Sequence, residues 1–351
     1  MKIGKSDKNK TIDFSEEEGK KYIEKCFVVN DTLKFEDIIN KTILGDTFEV
    51  LQKIPDGSID LVVVDPPYNL SKNYHGNKFN KTSAEIYEQY TKRWLTECKR
   101  IMKEDATIYV CCDWESSLII GKIMQELFYI QNRITWQREK GRGAFTNWKN
   151  GMEDIWFGTK SKQYTFNVDK VMCRKRVVAP YKIAGKPKDW EETEDGNFRN
   201  TYPSNFWDDI SIPYWSMPEN TEHPTQKPEK LIAKLILASS NEGDIVFDPF
   251  LGSGTTSVVA KKLNRNYIGI EQNPRYCGWA EYRLELADTD NSIQGYTDGV
   301  FWERNTLSFQ LKSKKDKEIT IEKLKKSFAK VLDSYTDEEL IEKLEENEPK
   351  E

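Results

Sequence analysis

Apolar and polar positions divide the chain into short β-branched runs and longer stretches with helical spacing. LVVV at 61–64 and IVF at 245–247 are typical of strands buried on both faces. AEIYEQYTKRWLTECKRIM at 84–102 repeats apolar residues every three or four positions, as a helix with one buried face does. Because strands and helices alternate, the pattern predicts an α/β fold with a mostly parallel sheet and helices on both faces.

Two blocks of this alternation stand out. The first runs through the strand NKTILGD, the helix TFEVLQKI and the strand GSIDLVVV, and continues after a polar loop at 69–82 as far as the strand EDIWFGTK. The second begins with the helix KPEKLIAKLILASS, in whose first turn Pro228 is tolerated. It goes on through IVF, TTSVVAKKLN and NYIGIE to a last helix, which Asn273 and Pro274 begin.

Composition narrows the class of protein. The polar N-terminus predicts no secretory signal, and no stretch approaches the ~18 apolar residues of a membrane helix. Six cysteines occur without a CxxC pair, and the chain has only two histidines. We therefore expect a reduced, cytoplasmic protein without a structural metal site.

Charge is distributed unevenly. The net charge of the 351 residues is −5, but residues 131–190 contain 14 Lys and Arg against 5 Asp and Glu, whereas residues 331–351 contain 2 against 9. Because the local field governs binding, a basic middle can hold a polyanion in spite of the negative sum.

A glycine-rich loop, DPFLGSGTT at 248–256, lies between a predicted strand and a predicted helix. Its glycines allow a tight turn close to a ligand, and Glu271, at the end of the next strand, is placed to bind ribose hydroxyls. No GKS or GKT follows, and Ser257 occupies the third glycine position of the dinucleotide fingerprint. A nucleoside cofactor without a pyrophosphate fits better, which points to S-adenosylmethionine.

The tetrapeptide Asp65-Pro66-Pro67-Tyr68 follows the strand LVVV directly. An exocyclic amine on a base is a poor nucleophile, because its lone pair is delocalised into the ring. The Asp65 carboxylate and the Pro66 carbonyl, stiffened by Pro67, would accept both amino hydrogens, while Tyr68 offers a face for stacking. A base inside a duplex reaches such a pocket only by flipping out, at a cost of a few kcal/mol.

DPPY, HPTQKP, DPFLGSGTT and Glu271 together resemble the motifs of amino-type DNA methyltransferases. DPPY precedes the glycine motif, an order that resembles the β group with its permuted, Rossmann-like sheet, and the resemblance covers roughly residues 37–290. It implies S-adenosyl-L-methionine as cofactor and duplex DNA as partner. Asp as the first motif residue favours adenine N6, and cytosine N4 stays an alternative.

The resemblance also implies roles for particular residues. The catalytic set is Asp65, Pro66, Pro67 and Tyr68. In the cofactor site, Phe250 packs near the cofactor, Glu271 holds the ribose, Asp46 accepts from the adenine amine, and Thr225 and Lys227 lie near the methionine carboxylate. The complete predicted cofactor set is Asp46, Thr225, Lys227, Asp248, Phe250, Gly252, Ser253, Gly254, Thr255 and Glu271.

Basic residues of the middle region are expected to face DNA phosphates or base edges. They are Arg138, Lys140, Arg142, Lys170, Arg174, Lys175 and Arg176. Aromatic residues nearby either stack on bases or form a small core: Trp190, Phe206, Trp207, Tyr214 and Trp215. The polar loop 69–82 is a candidate to close over the flipped base.

These changes in pattern and charge predict five segments: an N-terminal extension at 1–36, a catalytic half at 37–160, an inserted target recognition region at 161–216, a cofactor-binding half at 217–290 and a charged helical extension at 291–351. The predicted activity is site-specific adenine-N6 methylation in a restriction-modification setting, with a cognate endonuclease and a homodimer as possible partners. Alternatives are cytosine-N4 transfer, methylation of an amine in RNA or protein, and a non-catalytic DNA-binding module.

Overall fold

The computed structural model describes residues 8–29, 34–74, 77–138, 146–178, 182–183, 186–193 and 196–303. Lys140, Arg142 and the helices expected after residue 305 lie outside these ranges. The described chain falls into two compact units. The larger contains the described residues up to Arg174 together with Asn200–Trp302, and the smaller contains those of Lys175–Arg199 together with Glu303.

A nine-stranded sheet forms the centre of the larger unit. Its strands, β1 to β9 in chain order, are Phe27–Val28, Lys41–Leu44, Ile59–Val64, Met102–Cys112, Tyr129–Gln137, Met152–Thr159, Phe206–Trp207, Ile245–Asp248 and Asn266–Glu271. The spatial order is β1-β2-β9-β8-β3-β4-β6-β5-β7. All neighbours are parallel except β6, which runs antiparallel to β4 and β5. The predicted mostly parallel sheet is confirmed.

Eight α-helices belong to the described residues. Named α1 to α8, they are Glu16–Ile23, Phe35–Ile38, Thr47–Leu51, Ala84–Ile101, Trp114–Leu127, Glu229–Ser239, Thr255–Lys262 and Pro274–Leu286. The side chains of Ser83, Asp113 and Asn273 cap α4, α5 and α8 by accepting backbone N–H bonds. Pro228 stands just before α6, where its missing amide hydrogen is again harmless.

The two faces of the sheet carry separate hydrophobic cores. Alternate side chains of β3 point to opposite faces: Leu61 and Val63 pack with apolar residues of α6 and α7, whereas Val62 and Val64 pack with those of α3, α4 and α5. Helices therefore cover both faces, as predicted. None of the described helices is long and apolar enough to cross a membrane.

Shorter elements surround this core. Lys72–Tyr74 and Asn77–Phe79 pair as a small antiparallel hairpin within the stretch where a loop is predicted. A 3₁₀ turn at Val168–Val171 leads to the strand Cys173–Arg176, whose first residues pair in parallel with Phe301 and Trp302 of Val300–Trp302. Tyr296–Thr297 pairs in antiparallel fashion with Val300–Trp302.

Four short strands, Lys182–Ile183, Lys186–Pro187, Glu191–Thr193 and Gly196–Thr201, complete the described elements. All but the last two residues of Gly196–Thr201 belong to the smaller unit.

Candidate active site

Four carboxylates gather at one edge of the central sheet. Asp46 and Asp65 follow β2 and β3, while Asp248 and Glu271 end β8 and β9. These strands are consecutive neighbours, in the order β2-β9-β8-β3, and they are parallel. Their carboxyl ends therefore form one crevice, where open α/β sheets bind ligands. The two sequence blocks meet here because β8 lies between β9 and β3.

A cavity of about 500 Å³ opens at this edge, within the range of roughly 300–1,000 Å³ typical of small-molecule sites. It is lined by thirteen of the fourteen residues predicted for catalysis and cofactor binding: Asp46, Asp65, Pro66, Pro67, Tyr68, Thr225, Lys227, Asp248, Phe250, Gly252, Ser253, Thr255 and Glu271. The remaining residue, Gly254, is the N-cap residue immediately before α7. Residues from distant parts of the sequence thus share one cavity.

The DPPY segment is held from several directions. Tyr68 Oη donates to Asp65 Oδ1 at 2.8 Å, and Tyr87 Oη donates to the Pro67 carbonyl at 3.1 Å. Burial, followed by the neighbouring carboxylates, raises the pKa of Tyr68, so its hydroxyl stays a proton donor. Asn69 and Thr82 exchange hydrogen bonds of 2.8 and 3.0 Å, which tie together the ends of the polar loop.

Two glycines of the DPFLGSGTT loop adopt left-handed backbone conformations, with φ of +56° at Gly252 and +87° at Gly254. The Gly252 amide donates to Glu271 Oε2 at 2.9 Å, and the Asn273 amide donates to Oε1 at 2.8 Å. Glu271 therefore faces the loop that the sequence predicts to surround the cofactor.

Arg283, which sequence reasoning missed, supports this loop from α8. Its Nη1 donates to the Ser253 carbonyl at 2.8 Å and to Thr255 Oγ1 at 3.0 Å, and its Nη2 pairs with Glu229 at 3.0 Å. Thr255 Oγ1 donates to the Lys227 carbonyl at 3.1 Å. Ser253 and Thr255 thus help fix the backbone of the site.

Burial raises the pKa of two carboxyl groups that line the cavity. It raises the pKa of Asp248 to about 7, although hydrogen bonds from Thr256 and Phe250 act in the opposite direction. Burial also raises the pKa of Glu271 to about 7 against three backbone N–H bonds. A third carboxylate of the cavity, Asp46, caps α3: its Oδ1 accepts from the amides of Phe48 and Glu49.

Lys227 lies in a cluster that the sequence did not predict. Its Nζ is 2.6 Å from Asp65 Oδ2, 3.3 Å from Glu153 Oε2 and 3.3 Å from Tyr68 Oη. Burial alone would lower the pKa of Lys227, but the carboxylates of Asp65 and Glu153 outweigh it and raise that pKa well above its usual value. Two carboxylate oxygens and one hydroxyl oxygen thus lie within 3.3 Å of the ammonium group.

Glu153 comes from β6, and Arg138, just after β5, forms an ion pair with its Oε1. The resemblance gives no role to Glu153, and in the sequence only its position at the start of an apolar strand marks it. His223 and Tyr276 also line the cavity without having been predicted. Their rings meet edge to face, with centroids 4.4 Å apart.

The other residues predicted to contact DNA are distributed over both units. In the larger unit, Lys170 is exposed, and Arg174 donates to Asn200 at 3.2 Å while its guanidinium lies over the Trp302 ring. In the smaller unit, Lys175 lies 3.7 Å from Glu303, and Arg176 is exposed. No observation tests whether these residues contact DNA, and the contacts stay predictions.

The aromatic residues of the middle region divide by exposure. Trp190 and Trp207 are buried, whereas Phe206, Tyr214 and Trp215 are exposed. Trp207 belongs to β7, packs in the core of the larger unit and donates through Nε1 to the Ser204 carbonyl at 2.9 Å. Trp207 is therefore part of the protein core, and the three exposed rings remain candidates for stacking.

An open α/β sheet with DPPY and a glycine loop at adjacent strand ends defines the class of methyltransferases that act on amino groups. The family model described as DNA methylase matches residues 59–281. The chain belongs to this family.

Curated relatives agree with the family model. The type II methyltransferase M.HpaI of Haemophilus parainfluenzae is 37% identical over 248 residues, which cover 70% of this chain and 74% of the relative. The DNA adenine methyltransferase YhdJ of Escherichia coli (strain K12) is 36% identical over 250 residues, covering 70% and 83%. Among solved structures, the cytosine-N4-specific PvuII DNA methyltransferase has a TM-score of 0.53 at 19% identity, covering 71% and 90%, a likeness of fold.

Proposed function

We propose that the protein transfers a methyl group from S-adenosylmethionine to N6 of an adenine flipped out of duplex DNA. The observation that carries this proposal is the position of Asp65, at the end of β3, in the same cavity as the glycine loop and Glu271. The relative YhdJ, named a DNA adenine methyltransferase, supports adenine as the target.

The residues present fit S-adenosylmethionine. An adenosine offers two ribose hydroxyls and an amine as donors, and the cavity presents the acceptors Glu271 and Asp46 at neighbouring strand ends. Gly252 and Gly254 carry no side chains that would fill the loop. When bound, the cofactor supplies a methyl group on a positively charged sulfur, which leaves with the electron pair of the broken C–S bond.

The chain itself positions the acceptor amine. Asp65 and the Pro66 carbonyl accept its two hydrogens, so that the nitrogen lone pair is freed from the ring. Tyr68 fixes Asp65 Oδ1, and Tyr87 fixes Pro67. As the N–C bond forms, the nitrogen loses one proton, which Asp65 holds before water accepts it. Positioning supplies most of the rate, as it does for an already activated donor.

The test is direct. Purified protein is incubated with S-adenosylmethionine and unmethylated genomic DNA, the DNA is digested to nucleosides, and methylated bases are identified by mass spectrometry, with Asp65→Ala alongside. N6-methyladenine made only by the unmodified enzyme is the expected result. N4-methylcytosine would overturn the base assignment, and no methylated DNA base with cofactor still bound would favour an amine in RNA or protein.

The remaining partners are proposals of lower detail. Duplex DNA follows from the family, whereas a homodimer and a cognate restriction endonuclease go beyond it. All six cysteines are buried, and the proposed cytoplasmic setting rests on the expectation that they stay reduced. The roles of Lys170, Arg174, Lys175 and Arg176 at DNA are likewise proposed.

A further inference from the structure

We propose that Glu153 is a positioning residue for methyl transfer, which takes over the ammonium group of Lys227 when the target amine binds Asp65. This inference rests on the proposed function and adds to it a residue that the DPPY and glycine motifs do not contain. Glu153 acts through Lys227 rather than on the substrate.

The geometry places one ammonium between two carboxylates. Lys227 Nζ lies 2.6 Å from Asp65 Oδ2 and 3.3 Å from Glu153 Oε2. The side chains of Lys227 and Glu153 are only 6% and 5% exposed, whereas that of Asp65 is 23% exposed toward the cavity. By these distances the closer partner of Lys227 is Asp65, which is also the carboxylate that the target amine has to reach.

This closeness sets up a competition. The amine needs an acceptor oxygen of Asp65, and in the structure Oδ2 forms an ion pair with Lys227 while Oδ1 accepts from Tyr68. A buried ammonium cannot simply be released, because an unpaired charge in the interior is strongly destabilising. Glu153 offers it a second anionic partner within the same cluster, so that Lys227 stays paired as Asp65 turns to the substrate.

Arg138 completes the arrangement from the other side. It pairs with Glu153 Oε1, whereas Lys227 approaches Oε2. Glu153 is therefore charge-compensated when Lys227 sits on Asp65, and its Oε2 is oriented to receive the ammonium. Two cations and two carboxylates allow this exchange without a change in net charge.

The experiment uses Glu153→Gln, which keeps the shape and removes the charge. The initial rate of N6-methyladenine formation in unmethylated genomic DNA is measured at saturating S-adenosylmethionine, and cofactor affinity is measured by calorimetry. We expect the rate to fall at least about tenfold with cofactor affinity unchanged, and Glu153→Asp to restore part of it. The matched control is Asp209→Asn, a carboxylate that pairs with Lys230 and Lys234 outside the cavity; it should leave the rate unchanged.

The same substitution in a Lys227→Met variant tests whether Glu153 acts through Lys227 or only stabilises the fold. In Lys227→Met no ammonium is left to share, and Glu153 keeps its ion pair with Arg138, so adding Glu153→Gln should cause no further fall in the rate. A further fall there, or a normal rate in Glu153→Gln alone, would overturn the exchange. If Lys227→Met makes no product, the rate of Glu153→Gln alone decides.

If Glu153→Gln does not fold, Glu153→Asp takes its place in both backgrounds, with a smaller loss expected in the first and none in the second. Wild-type enzyme that makes no N6-methyladenine would instead refute the proposed function.

Discussion

Gly254 stands against Ala280 so closely that a Cβ on the glycine would lie 2.6 Å from the Ala280 Cβ. The N-cap of α7 therefore packs on α8 at a position that has room for hydrogen alone. The same residue has φ of +87°, which side chains of L-residues rarely adopt. Two independent constraints thus select glycine at the base of the predicted cofactor loop.

Gly254→Ala should be destabilised both by the left-handed backbone conformation and by the clash with Ala280. Gly243→Ala is the matched control, because it shares only the backbone conformation. Gly243 has nearly the same φ, +85°, but a Cβ added there would meet nothing within 4 Å. We expect Gly243→Ala to cost about 1–2 kcal/mol of unfolding free energy and Gly254→Ala about 1–3 kcal/mol more, measured by urea unfolding. Only Gly254→Ala should also weaken binding of S-adenosylmethionine. Equal losses in the two variants would contradict the close packing.

Tyr68→Phe tests whether the hydroxyl orients Asp65. The ring stays, but the 2.8 Å bond to Asp65 Oδ1 is lost. We expect the rate of methylation at saturating cofactor to fall about tenfold, with cofactor affinity unchanged. The control is Tyr109→Phe, which removes a buried hydroxyl bonded to Ser239 outside the cavity. It should change stability but not the rate, and a normal rate in Tyr68→Phe would limit Tyr68 to stacking.

Arg283→Met removes the support of the glycine loop and leaves Glu229 with Lys262 as its remaining cationic partner. Breaking a buried pair in this way costs about 3–5 kcal/mol, and the loop should bind cofactor more weakly. Arg265→Met is the comparison, since Arg265 is also buried but bonds to Ser240 and the Leu263 carbonyl. Arg265→Met should lower the urea midpoint without changing cofactor affinity. Cofactor affinity is measured by calorimetry for both variants, at a temperature where they are folded.

Local sequence signals predicted most strands of the central sheet and most of the helices, because each depends on neighbours in the chain, whereas the roles of the thirteen predicted residues that line the cavity came from the resemblance of their motifs. DPPY and the glycine loop end strands through the backbone restrictions of proline and glycine. The long-range parts were less accessible. Glu153 meets Lys227, 74 residues away, only because β6 inserts antiparallel between β4 and β5.

Arg138 illustrates the same limit for charge. In the sequence it belongs to a basic stretch, WQREKGRG, and is assigned to phosphates. In the structure it pairs with Glu153, a partner that the register of β5 and β6 determines. A local count of charges gives the field of a region, but not the partner of one guanidinium.

Asp248 gives a prediction for pH. Its pKa is raised from 3.8 to about 7, so the folded state holds a proton that the unfolded chain has released over this interval. This contribution to stability is complete below pH 3.8 and is lost as the pH rises through about 7. Asp248→Asn carries no titrating group, and its amide can still bond Thr256. The difference in unfolding free energy between variant and wild type should therefore shift in favour of the variant from about pH 5 to about pH 8, by a few kcal/mol at most. Urea unfolding at intervals of about one pH unit across this range measures it, and a difference that does not change with pH would show that Asp248 is already ionised at the acidic end.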